Sequence, residues 1–231
     1  MKKGFFKVKR IKGIKNGYTA VMENGKNSQK AQKRALVLRD AKNMGLVFII
    51  VSFLGWVIEM LACYPFSGWQ DRGFLTLPFC TIYGVATLFY YFAFSTPDKA
   101  RFFKFKIARG RGFFKTLIRY VYYFLITAFT AALIEYFTAL FFDSAFSVRL
   151  WYYESYAYNL SGYISLGFAL IWGILSTSFM RVGFIPLVRA VSFIPERTLT
   201  TILTFFAVAL LADYAFNYIF LLVNGYRFTL F

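Results

Sequence analysis

The sequence predicts an all-α integral membrane protein with about five transmembrane helices. Three observations carry that expectation. The 231 residues are 59% hydrophobic and 23% aromatic, yet the formal net charge is +17. Charge and apolar residues are segregated along the chain. Residues 73–97 and 155–180 hold no charged side chain, and runs of that length exceed the ~18 residues that mark a membrane-crossing helix. Three further apolar runs are each interrupted by one acid, Glu59, Glu135 or Asp213.

The elements follow in order. Residues 1–43 form a basic arm with 13 Lys or Arg and two acids, Glu23 and Asp40. From Ser28, a helix-capping residue type, to Asn43 the arm reads as a basic helix leading into the membrane. The transmembrane domain is 44–231, with spans at about 44–64, 75–94, 118–142, 162–180 and 199–223. The first apolar stretch starts near Met44 and is too long for the core of a cleaved signal peptide. Residues 182–197 are apolar but too short to cross. Pro186 and Pro195 bracket them, which suggests a helix lying in the interface.

Cation counts orient the spans. The arm holds 13, residues 95–119 eight, and residues 181–198 three, whereas Arg72, Arg149 and Arg227 stand alone in the alternate segments. The positive-inside rule then places the amino terminus in the cytoplasm and the carboxyl terminus outside. The expected location is the bacterial plasma membrane.

The acids are regularly placed. Lys42 to Glu59 is 17 residues, Arg119 to Glu135 is 16 and Arg197 to Asp213 is 16. At ~1.5 Å rise per residue each acid lies ~24–26 Å above its cationic anchor, within a hydrocarbon core ~30 Å thick. The three carboxyls should therefore share a layer in the outer half. Small or polar residues flank each at helical spacing: Ser52, Gly55 and Cys63; Thr127 and Ala131; Ala209 and Asn217. Ionisable groups at membrane depth face protein or water and mark functional sites by default. One reading is a polar chamber that binds a cation, a proton or a cationic headgroup. The other is a set of interfacial acids paired with Arg72 or Arg149 to fix helix packing.

Other features have plainer readings. Asp71-Arg72 either caps the chamber or is a solvated pair. Arg149 beside Trp151, Tyr152 and Tyr153 is an interfacial belt or a vestibule lining. Ser165, Ala169, Gly173 and Thr177 form a small-residue seam suited to close helix packing, within the bundle or with a partner helix. Cys63 and Cys80 read as buried apolar residues rather than a disulfide. There is no His, no Walker A sequence and no G-x-S-x-G, so neither hydrolysis of ATP nor serine chemistry is encoded here. No cofactor or metal is expected. The basic arm is continuous with a membrane anchor, so anionic inner-leaflet lipids suit it better than nucleic acid.

Three segments together resemble a bacterial family of small polytopic proteins, the CmpB-like type IV ABC-transporter permeases. FLGWVIE at 53–59 is similar to the family's Gly-Trp-x-x-Glu. DRGFLTLPFCTIYG at 71–84 is similar to its Arg-Gly-Phe-Leu-x-Gly-Pro-x-x-Pro-Ile-Tyr-Gly, with Leu77 in place of the glycine and Thr81 in place of the second proline. The segment 134–173 keeps Glu135-Tyr136, Arg149-Leu150-Trp151, Asn159, Gly162 and Trp172-Gly173 in register. It departs at Tyr152-Tyr153-Glu154, where the family has Asp-Tyr-Ser, and at Tyr163, where it has Arg. The resemblance covers roughly 53–180 and implies that Glu59, Arg72, Glu135, Trp151 and Asn159 matter. On the permease reading that this suggests, a separate cytoplasmic ATP-binding subunit would contact residues 95–119 and 182–197, and the small-residue seam would serve a homo-oligomer or a recruited partner. A non-catalytic scaffold or accessory subunit, or a lipid-binding or lipid-moving protein, would need only the packed helices, the basic arm and acids opening sideways to lipid.

Overall fold

A computed structural model describes residues 32–33, 35–62, 64, 68 and 73–230. Met1–Lys42 forms one unit and Asn43–Phe231 another. Of the first, residues 32–33 and 35–42 are described, and they are helical. Ser28 and the rest of the expected basic arm lie outside the described residues.

The chain is mostly helical. Helix α1 (Ala35–Ala62) is followed by α2 (Thr81–Phe94), a single 3-10 turn (Pro97–Lys99) and a two-residue hairpin of β1 (Arg101–Phe102) and β2 (Phe105–Lys106). Then come α3 (Phe113–Phe146), a second small hairpin of β3 (Asn159–Leu160) and β4 (Ile164–Ser165), α4 (Leu166–Val182), α5 (Phe184–Ser192) and α6 (Glu196–Asn224). Both hairpins are antiparallel, pairing Arg101 with Lys106 and Asn159 with Ser165.

Three of the described helices, α1, α3 and α6, are long and apolar enough to cross a membrane, and α4 with α5 makes a fourth if the bent pair counts as one span. The expected second span differs. Helix α2 has 14 residues, which reach ~21 Å rather than the ~30 Å of a hydrocarbon core. Residues 75–80, expected to open that helix, are non-helical. Pro78 explains part of this. It disfavours helical geometry at Leu77 and cannot donate to an upstream carbonyl.

The break between α4 and α5 bends the axis by 46°. Pro186, in the first turn of α5, has no N–H for a continuous ladder and its ring would crowd the carbonyl of Val182. Helix α5 falls within the segment expected to lie at the interface, and it buries Phe184 and Val191 on one side. Phe184 packs on Tyr91 with ring centroids 4.7 Å apart.

The helices meet through small residues. A Cβ on Gly55 would stand 2.8 Å from the Tyr83 Cβ, and one on Gly84 would stand 2.4 Å from Ser52 Oγ. These two glycines let α1 and α2 approach. A Cβ on Gly173 would meet Ala128 Cβ at 2.7 Å, and Thr127 and Thr177 hydroxyls lie 3.5 Å apart. The small-residue seam of α4 is therefore filled by α3 of the same chain, with Ser165 and Ala169 buried along it. The outward sides of the helices are studded with exposed Phe, Leu, Ile and Val, among them Phe129, Phe137, Val208, Leu211 and Leu222, as lipid contact requires.

Candidate functional site: carboxyls around the segment leading into α2

The irregular stretch before α2 organises the acids. Backbone polar groups at membrane depth must be satisfied within the protein, and here side chains do much of that work. Asp213 on α6 accepts from the N–H of Leu77 at 2.9 Å and of Thr76 at 3.3 Å. Asn217, one turn on, donates to Asp213 Oδ1 at 3.0 Å and to Thr76 Oγ1 at 3.0 Å. Both residues are buried, Asn217 with 1% of its surface exposed. The Cys80 N–H donates to the carbonyl of Ser52 on α1 at 3.0 Å. Thr81 and Tyr214 share a hydroxyl–hydroxyl hydrogen bond, and Arg227 donates to the carbonyl of Gly73. The segment is thereby held to α1 on one side and to α6 on the other.

Glu59 receives one donor from this stretch and one from α2. The Tyr83 hydroxyl donates to its Oε1 at 2.7 Å and the Cys80 thiol to its Oε2 at 3.4 Å. Cys80 is buried as a thiol. Glu135, on α3, accepts from Trp172 Nε1 at 3.0 Å and from the Tyr153 hydroxyl at 3.3 Å, both at Oε1. Its Oε2 is buried with no hydrogen-bond partner among the described residues. The rings of Tyr83 and Trp172 meet edge to face at 5.4 Å. Glu59 and Glu135 lie within electrostatic reach of each other. Four helices and two irregular segments thus converge on two carboxyls, joined through a Tyr–Trp contact.

Arg149 does not pair with any of the three acids. Its Nε donates to Asp143 at 3.3 Å and its Nη1 to Glu154. These partners, chiefly the hydrogen bond to Glu154, push its pKa above the usual guanidinium value. The Tyr163 hydroxyl donates to Asp143 at 2.5 Å, and that bond raises the phenol's pKa. Tyr163 lies under the Arg149 guanidinium, 5.3 Å from ring centre to charge. Trp151 Nε1 donates to the Tyr163 carbonyl at 2.8 Å. Asn159 closes the turn between β3 and β4. Its Nδ2 donates to the carbonyls of Tyr156 and Glu154 at 2.9 and 3.2 Å, and its Oδ1 accepts from the Gly162 N–H at 3.1 Å. Gly162 takes φ +71° there, a conformation that costs a side-chain-bearing residue more than glycine. Arg149, Trp151 and Asn159 therefore shape the 147–165 loop, and Tyr153 carries that loop's one hydrogen bond to Glu135 among the described residues. Arg72 and Asp71 lie outside the described residues, as does Cys63.

Sequence patterns single out Glu59, Glu135 and Asp213, but they read Tyr153 as belt or vestibule and Trp172 as part of a motif, and do not connect either, or Tyr83, to the acids. Their signal was present only as aromatic residues inside the motif-bearing segments.

A helical bundle with three or four membrane-length helices and acids held inside it is a polytopic membrane protein. A family described as "Putative ABC-transporter type IV" matches residues 46–218, and the chain belongs to that family. No curated protein and no solved structure gives a significant match.

Proposed function

We propose that the protein is the membrane-embedded transport component of an ABC-type system and that its ATP-hydrolysing subunit is a separate chain. The observation that carries this reading is the Glu59–Tyr83–Trp172–Glu135 contact at the meeting of four helices, in a family whose description is transport. Two acids inside a bundle are expensive to retain in lipid, and such groups mark ion or substrate pathways. In this reading the chamber binds a cation or a cationic group through Glu59 and Glu135, with Arg72 and the 147–165 loop at its outer mouth. Asp213 holds the structure and does not meet substrate.

The chain crosses five times, with the amino terminus in the cytoplasm and the carboxyl terminus outside, because 24 of its 27 cations then face inward. Helix α2 and its non-helical lead-in together form the second crossing. Helix α5 lies at the cytoplasmic interface and offers the contact to the ATP-binding subunit. Alternating access opens the chamber to one side at a time.

The test is native purification in mild detergent through a carboxyl-terminal tag. A stoichiometric ATP-binding protein should co-purify and should be lost on substitution of the exposed Phe193 and Arg197 beside α5. A stable protein that recovers no ATP-binding partner would overturn the permease reading in favour of a scaffold or a stand-alone lipid protein.

A further inference from the structure

The segment between α2 and α3 carries an exposed patch in which phenylalanines alternate with cations. Phe103, Phe105, Phe113 and Phe114 are all exposed, Phe105 by 74% and Phe114 by 76%. Lys104, Lys106, Arg109, Arg111 and Lys115 stand between them and are exposed as well. Asp98 is the one acid in 95–119, and the Tyr120 hydroxyl occupies it at 2.6 Å. Five cations interleaved with four aromatic rings form neither a solvated loop nor a core.

The hairpin is held close to the helix ends rather than extended away from them. The Phe103 N–H donates to the carbonyl of Ala93 at 2.7 Å, and the Ile107 N–H to that of Ala100 at 3.0 Å. Arg101 reaches back to the carbonyls of Tyr91 and Phe92 at 3.4 and 2.9 Å. Arg119 ties the return strand to the start of α3 through the carbonyls of Ala108 and Gly110 at 3.1 and 3.0 Å. Phe113 and Phe114 are themselves the first two residues of α3. Phe103 is thus bonded to the last turn of α2, Phe113 and Phe114 open α3, and Phe105 pairs with Phe102 in the hairpin between these two helices.

We infer that this patch is a membrane-inserting wedge, in which the phenylalanines sink to the boundary between headgroups and acyl chains while the neighbouring Lys and Arg bind anionic headgroups. Aromatic rings favour that depth, and each cation near an anionic surface adds on the order of 1 kcal/mol. Exposed apolar patches rimmed by charge mark binding surfaces for membranes or proteins. The positive charge, the placement at the helix ends and the backbone tethers all select an anionic lipid surface. The inference holds whichever side of the membrane this segment faces, and it does not depend on transport. It also leaves the α5 segment, not this one, as the contact for an ATP-binding subunit.

The experiment uses the full chain in nanodiscs, with an environment-sensitive NBD dye on a p-acetylphenylalanine introduced at position 105. In discs containing phosphatidylglycerol, emission should be blue-shifted and quenched several-fold by lipids brominated near the top of the acyl chain. In pure phosphatidylcholine, or with Lys104→Gln, Lys106→Gln, Arg109→Gln and Arg111→Gln combined, quenching should fall several-fold. Size-exclusion profiles of the labelled and charge-neutralised chains must match the wild type, and all five substituted positions are exposed, so the fold should tolerate them. Water-like emission in both lipids, or equal insertion into both, overturns the inference. Emission that is water-like in nanodiscs but shielded in native membranes overturns it too and identifies a protein partner instead.

Discussion

Trp172 donates its indole N–H to Glu135 at 3.0 Å while its ring meets Tyr83, which in turn donates to Glu59 at 2.7 Å. The two carboxyls are therefore held by donors on two other helices, and the donors touch each other. A change at either aromatic should be felt at both acids.

Tyr83→Phe keeps the ring and its contact with Trp172 but removes the donor to Glu59. A hydrogen bond to a charged group is worth ~1.5–3 kcal/mol. Trp172→Phe removes the indole donor and leaves Glu135 Oε1 with the Tyr153 hydroxyl. Each single variant should lower the detergent melting temperature by a few degrees at ~1 kcal/mol per 2–4 °C. The double variant should lose less than the two effects added together, because one contact joins them. Strict additivity in a thermal-shift cycle would show that the two carboxyl sites are independent.

Spacing from a cationic anchor groups Asp213 with Glu59 and Glu135, yet its partners include backbone N–H groups rather than an arginine. Asp213→Ala would leave the N–H groups of Thr76 and Leu77 without acceptors, at ~1–3 kcal/mol each. Membrane accumulation should fall sharply. Asp213→Asn retains a carbonyl acceptor and should recover much of it. Glu59→Gln should accumulate at wild-type level and lose activity instead. If Asp213→Ala accumulates normally, the acid does not hold the 73–80 segment.

Much of the architecture was legible in the sequence because hydrocarbon thickness sets a length that apolar runs must meet. That constraint picks out α1, α3 and α6 from composition alone. It fails for α2, since Pro78 stops the helix while the apolar run continues, and hydropathy does not distinguish a helix from a strand-like lead-in. The seam on α4 was legible as a packing surface. Its occupant was not, because small-residue spacing is the same whether the partner helix is α3 or another copy. Glu59 and Glu135 were found by their cost in lipid. The contacts of Tyr83, Trp172 and Tyr153 with those acids were not legible, because aromatics are common in this chain and their role depends on elements distant in sequence.

Asn159 offers a test of the 147–165 loop. Its side chain makes three hydrogen bonds, one across the β3–β4 turn to Gly162 and two back to the carbonyls of Glu154 and Tyr156. Asn159→Ala should loosen the turn and, through Tyr153, the cover over Glu135, while leaving the helices folded. Hydrogen exchange should accelerate at the N–H groups of Gly162 and Tyr153, the latter bonded to the Gly162 carbonyl at 2.9 Å, and remain unchanged in α1 and α6. Uniform acceleration across the helices would mean that the loop supports the whole bundle.

Gly55 gives the most direct test of the helix approach that creates the Glu59 site. An added Cβ would stand 2.4 Å from two atoms of the Tyr83 ring and 2.8 Å from its Cβ, too close for the ring to tolerate without moving. The Tyr83 Cβ is fixed to the backbone of α2, so rotation of the side chain alone does not relieve the contact, and α1 and α2 must separate. Overpacking of this kind costs ~1–3 kcal/mol. Gly55→Ala should therefore lower the melting temperature and also break the Tyr83–Glu59 hydrogen bond. Tyr83→Ala in the same chain removes the ring atoms but leaves the 2.8 Å backbone-proximal contact, so it should restore only part of the stability and none of the activity. Full thermal recovery in the double variant would show that the ring, and not helix spacing, sets the approach of α1 to α2.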